Sequence, residues 1–141
     1  MQRLRGNAMN EVSFTLEGNP VAKQSFKINK KIGGSYKDKK MAAYEAYVKE
    51  IAILAMIGKE VIHKDHPCYV RITVFVNKTQ KDISRYYPIV KPDLDNVSKG
   101  ILDALNKVVY YDDKQVVDLV VSRRFTTTRD YVSVKVMWED L

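Results

Sequence analysis

Cysteine is all but missing from this chain. Among 141 residues only Cys68 carries a thiol, so no intrachain disulfide can form and a reducing, cytoplasmic setting is expected. Long apolar runs are missing too: none approaches the roughly 20 residues that a membrane-spanning helix needs. The opening MQRLRGNAMNE has basic residues without the apolar centre of a secretory signal, and reads as a flexible lead over residues 1–11. There are no repeats, low-complexity tracts or interdomain linkers. That leaves one domain over residues 12–141, long enough for a single real core. Acid is in short supply: 24 Lys and Arg against 17 Asp and Glu leave a formal charge of +7.

The surplus of base is unevenly placed. KQSFKINKKIGGSYKDKK (23–40) holds seven lysines and one aspartate. Such a segment favours polyanions, nucleic acid first, through phosphate contacts and counterion release. Lys23, Lys27, Lys30 and Lys31 are the candidate contacts. A second polar stretch, NKTQKDISRYYPIVKP (77–92), sets Arg85 and Lys91 beside Tyr86 and Tyr87, a mixture suited to a phosphate backbone and exposed bases. Taken alone, either stretch also fits a solvated surface loop.

Apolar periodicity places the elements. VSFTLE (12–17) alternates as a first strand, and residues 23–40 follow as a loop or loose hairpin. Residues 41–60 have helical spacing with Gly58 as a stop. CYVRITVFV (68–76) is a second, central strand. Residues 96–109 form a second helix with Asp95 or Asn96 as its N-cap. Residues 115–126 and 131–138 read as two strands, and the TTRD linker predicts an antiparallel hairpin between them. The order β-α-β-α-β-β implies an α+β fold, a single domain with helices packed on one face of a mixed sheet.

Asp93 and Asp95 stand two residues apart in PDLDNVSK, where the second helix begins. Carboxylates that close repel, and each costs free energy to desolvate, unless a cation lies between them. Mg2+ takes one or two protein carboxylates and completes its octahedron with water and phosphate oxygens. D-x-D by itself also occurs at plain turns. Asp112-Asp113, where the helix has run out, can return a third carboxylate towards the first two. Lys99 lies one turn beyond Asp95 and Asp103 one turn beyond Lys99, so these residues also fit an i, i+4 charge ladder. Asp93 precedes the helix and does not belong to that ladder. Three carboxylates and a lysine beside a basic surface form the set that metal-dependent phosphodiester hydrolysis requires.

PDLDNVSKGILDALNKVVYYDDKQVVD resembles the signature of RusA-type Holliday junction resolvases: D-L-D-N, a lysine four residues after the second Asp, D-A-L in the helix, then an aromatic-rich D-D-x-Q-V-V-D. EGNPVAKQSFK is similar to the opening strand and Pro-containing basic turn of phage and bacterial members. The resemblance runs from about Val12 to Trp138. It implies a homodimeric, Mg2+-dependent endonuclease, with Mn2+ as a substitute ion, that resolves four-way DNA junctions by paired nicks in recombination and repair. The family's acidic triad of metal ligands falls on Asp93, Asp95 and Asp113, and its catalytic lysine on Lys99. Two departures stand out: the loop before D-L-D is longer, with SRYYPIVKP where some members carry an arginine run, and the step from helix to D-D is one residue shorter. A non-catalytic nucleic-acid-binding module and a flap or fork nuclease are the alternatives. Retention of all three acids and the lysine favours an enzyme over the module.

Other candidates are weaker. His63-x-x-His66 beside Asp65 looks metal-like, but Gly58 and Pro67 frame it as a connection. Tyr44, Tyr47 and Trp138 read as core, the two tyrosines also as candidates for a dimer face. Asp118 is expected in a strand-edge or helix-facing salt bridge, and Asp103 is expected to support Lys99 or stay solvated.

Overall fold

Period-two alternation of β-branched residues builds the sheet. In the computed structural model, which describes residues 9–22, 35–78 and 86–140, β1 (Met9–Glu17) is followed by α1 (Ser35–Ala55) and β2 (Cys68–Asn77). Then come α2 (Leu94–Leu105), a 3-10 turn (Asp113–Gln115), β3 (Val116–Thr126) and β4 (Tyr131–Glu139). This is the expected α+β order. The strands form one mixed sheet in the order β1-β4-β2-β3, with β2 and β3 parallel and the other pairs antiparallel. α2 supplies the crossover that a parallel pair demands.

One face of the sheet is buried. It carries Val12 and Leu16 of β1, Val70, Ile72 and Val74 of β2, and Val132, Val134 and Val136 of β4. α1 lays Val48, Ala52 and Met56 against them, and α2 adds Val97, Ile101, Ala104 and Leu105. Each fully buried Leu, Ile or Val here stabilises the fold by about 1.5–3 kcal/mol relative to exposure. Tyr44, Tyr47 and Trp138 pack on this core, and the Tyr47 hydroxyl accepts the Glu17 N–H at 2.9 Å. No helix among the described residues is long and apolar enough to cross a membrane.

Several boundaries differ from expectation. β1 starts at Met9, because Met9–Glu11 pair with Glu139–Met137 of β4. α1 begins at Ser35, so the last six residues of the lysine segment are helix rather than loop. Nothing between Gly34 and Gly58 breaks a helix once the Tyr44–Ala52 face packs. The helix ends at Ala55, and Gly58 at φ +80° turns the chain away. α2 is shifted the same way, to 94–105, with Asp93 rather than Asp95 or Asn96 as N-cap. The Val97 N–H donates to the Asp93 carbonyl at 3.1 Å. Val108 and Val109 prolong the apolar period but lie in a turn with Lys107 at φ 69°. Val109 is buried there, which is why periodicity alone reads as more helix.

The hairpin expected between the last two strands does not form, because β2 lies between β3 and β4. Residues 127–130 step over the end of β2 instead. Four extended residues reach ~13 Å, and two strand spacings need only ~10 Å. The end of β2 is tied into that step: the Asn77 N–H donates to Asp130 Oδ1 at 2.6 Å, and the Asn77 amide donates to the Thr128 carbonyl. A strand as apolar as β2 requires a neighbour on both sides, and that non-local demand outweighs a short linker.

Candidate active site

Pro92 sets the start of α2. The chain enters through a cis Lys91–Pro92 bond, and Asp93 then takes the extended N-cap conformation with φ −63° and ψ 140°. An N-cap aspartate ordinarily accepts a backbone N–H from the first turn. The Asp93 carboxylate makes no such bond and is exposed. Asp95 is also exposed, in the first turn, where the positive end of the helix dipole favours carboxylates. Leu94 and Val97 hold this turn to the core, and the Ser98 hydroxyl donates to the Asp95 carbonyl at 2.8 Å. Lys99 stands exposed one turn further on.

The connection after α2 brings its acids back to the helix. Tyr110 is wholly buried, and its hydroxyl donates to the Leu102 carbonyl at 2.8 Å. That bond ties the returning chain to the helix. Gln115 then organises the turn: its side-chain oxygen accepts the N–H groups of Tyr111 and Asp112 at 2.9 and 3.0 Å. Its amide donates to the carbonyls of His63 and His66.

Within this turn two adjacent aspartates are driven apart in chemistry. Asp112 caps the 3-10 turn, accepting the Lys114 N–H at 2.9 Å, and that bond lowers its pKa. Asp113 moves the other way. Burial raises its pKa first, then a hydrogen bond with the Asp103 carboxyl and the charges of Asp103 and Asp112. Asp112 is thus a structural cap, and Asp113 is the acid presented to α2. Asp103 sits against Asp113.

One residue missed at the level of sequence is Arg123. It registers with Val74, on the helix-facing side of β3, and its guanidinium Nη2 donates to the Pro92 carbonyl. Its Nε is buried without a hydrogen-bond partner. Burial lowers its pKa, while the nearby charge of Asp93 works in the opposite direction. Arg123 therefore ties β3 to the residue before the N-cap and balances charge beside Asp93. Strand alternation in SRRF requires one of its two arginines to face inward, which is the signal that could have found it.

The remaining candidates divide clearly. Lys91 is exposed beside Pro92. Lys23, Lys27, Lys30, Lys31 and Arg85 lie outside the described residues. His63 pairs with Asp65 at 3.5 Å, and this connection serves the turn through the His63 and His66 carbonyls. Asp118 is exposed on the edge strand β3. Cys68 is fully buried, and burial pushes its thiol up to about 11, so it is an inert core residue. Among the described residues, no group of three or more Asp, Glu, His or Cys side chains is arranged to hold a metal ion. The acids that do meet are Asp103, Asp112 and Asp113, with Asp93 and Asp95 at the start of the helix to which they return.

Comparison with known proteins bears on this arrangement. The family model described as endodeoxyribonuclease RusA matches residues 17–137. The crossover junction endodeoxyribonuclease rusA of Lactococcus phage r1t is 30% identical over 108 residues, covering 76% of this chain and 82% of the phage protein. The uncharacterized protein YqaN of Bacillus subtilis (strain 168) is 51% identical over 49 residues, 35% of this chain. That match spans about a third of YqaN, 33% of its length. With the family model matched from the end of β1 to β4, this chain belongs to the RusA endodeoxyribonuclease family.

Proposed function

We propose that this chain is a Mg2+-dependent endodeoxyribonuclease that works as a cytoplasmic homodimer and resolves four-way DNA junctions by paired symmetric nicks. One observation carries this: Asp113 returns against α2, the helix whose start bears Asp93, Asp95 and Lys99. The three candidate carboxylates are not gathered into a metal-holding group among the described residues, but their chemistry suits a hard cation. Asp93, not engaged in capping, together with Asp95 and Asp113 offers only carboxylate oxygens, which suit Mg2+ and equally Mn2+. Such a cation supplies Lewis acidity towards phosphate and an activated water at neutral pH. Lys99 places a compact positive charge one turn from Asp95, where it offsets charge growing on the attacked phosphate. Arg123 holds the entry to α2 in place. Lys91 supplies a phosphate contact, together with Lys23, Lys27, Lys30, Lys31 and Arg85. Symmetric nicks need two sites related by a two-fold axis, which an isologous dimer provides.

The test is direct. Purified protein is incubated with Mg2+ or Mn2+ on a synthetic four-way junction and on matched linear, flap and fork DNAs. Symmetric nicking of the junction is expected, and Asp93→Asn, Asp95→Asn and Asp113→Asn should each lose nicking while still binding the junction. No cleavage of any substrate with either ion would instead assign a non-catalytic binding module. Equal cutting of flaps and forks would assign a broader nuclease.

A further inference from the structure

Between β2 and α2 the chain presents an apolar tip with no role in the core. Tyr86 is 93% exposed, Ile89 81% and Tyr87 60%, while Pro88 among them is buried. Single exposed apolar residues are ordinary, but a contiguous group of this kind marks a contact surface. The tip is also anchored. Pro88 packs inward, the Arg124 guanidinium lies 5.2 Å from the centre of the Tyr87 ring, and Arg123 grips the Pro92 carbonyl. Asp93 follows Pro92 directly, so the rings project from a fixed base a few residues from the acidic pair.

The surroundings narrow what this tip meets. Exposed Lys91 and Arg124 flank it, and in a two-fold contact between copies those cations would crowd towards their own counterparts. DNA phosphates would be drawn in by the same charges. Carboxylate chemistry at a phosphate is also blind to branching, so selection of branched DNA needs a separate element. Intact duplex hides the faces of its bases; a branch point interrupts stacking and offers them. Aromatic side chains stack on any base with little regard for sequence. With Arg124 on one face of Tyr87, the other face is left to a base.

Resting on the nuclease function above, we propose that Tyr86 and Tyr87 stack on nucleobases exposed at the branch point of four-way DNA and so select branched over linear duplex. The probe is a junction carrying 2-aminopurine at the branch point, with the same label inside an arm as control. Wild-type binding should change emission at the branch and not in the arm. The paired variant Tyr86→Ala/Tyr87→Ala should lose that change and bind the junction roughly 10-fold more weakly, with linear duplex binding unaltered. Tyr86→Phe/Tyr87→Phe, which keeps both rings, should behave as wild type.

An alanine pair with wild-type junction affinity and an intact branch signal would overturn the proposal while leaving the nuclease function standing. So would an alanine pair that falls to half the wild-type mass in light scattering but keeps the branch signal, since the tip would then be a contact between copies. Wild-type protein that binds branched and linear DNA alike and cuts neither would sink the nuclease function and this proposal with it.

Discussion

At Asp113, burial, the hydrogen bond with Asp103 and the charges of Asp103 and Asp112 all favour the protonated acid. Its folded pKa therefore lies above its unfolded one. The associated stability is present below the unfolded pKa and is lost as pH rises through the folded value. Asp113→Asn removes that penalty, so it should melt higher than wild type at pH 8, with the gap closing on acidification below the ordinary carboxylate range. A calorimetric series across pH reads this directly. In its proposed role as a cation ligand Asp113 must be ionised, so nicking should show an acid limb as Asp113 protonates. Asp103→Asn should move that limb to lower pH, because an amide N–H stabilises the ionised Asp113. A limb that stays in place would mean another group titrates. Lys99 separates chemistry from ion holding: Lys99→Ala should bind junction DNA normally yet nick at least ~100-fold more slowly, a loss of about 2.7 kcal/mol. Lys99→Arg should restore only part of it, because a planar fork places its charge elsewhere. Single-turnover rates at saturating enzyme isolate that step.

At the scale of elements, the start of α2 is held by a strand distant in sequence. Arg123 of β3 donates to the Pro92 carbonyl beside the N-cap, so the position of Asp93 depends on the β2–β3 pairing. Arg123→Gln should speed hydrogen exchange at the Val97 amide, which closes the first turn, while the Ile101 amide in the buried body of α2 stays protected. Uniform exchange across the helix would show that Arg123 acts on the whole fold instead. The step from β3 to β4 rests on another long-range bond, from the Asn77 N–H to Asp130 Oδ1 at 2.6 Å. Asp130→Ala leaves that donor unmet and should cost about 1–3 kcal/mol in urea unfolding. An unchanged midpoint would show that the crossover does not need this tie.

For the molecule as a whole, charge and symmetry make separate predictions. Junction binding should weaken steeply with salt, and replacing Lys23, Lys27, Lys30 and Lys31 with Ala should flatten the log–log slope by roughly 0.9 for each phosphate no longer neutralised. A slope that does not change would move attention to Arg85 and Lys91. Light scattering at micromolar concentration should return about twice the chain mass of 16.3 kDa. A strict monomer that still nicks junctions symmetrically would break the link between dimer and paired cuts.

Much of this protein is written locally. The α+β order, the central place of β2 and the inward face of each strand follow from apolar period, because burial acts on every second residue of a strand and on one stripe of a helix. The D-L-D-N and D-D motifs, with a lysine one turn on, likewise mark the candidate acids by residue order alone. What the sequence could not decide depends on contacts between distant segments. Val109 keeps the helical period yet lies in a turn, and TTRD looks like a hairpin yet steps over β2, since β2 takes β4 on one side and β3 on the other. Which of two neighbouring aspartates caps the turn and which lies against α2 was decided by Gln115, Lys114 and Asp103 around them. Arg123 acquired its role only when β3 packed beside β2 and brought its guanidinium under Pro92. Periodicity records whether a side chain is buried; which partner it meets there is a property of the folded chain.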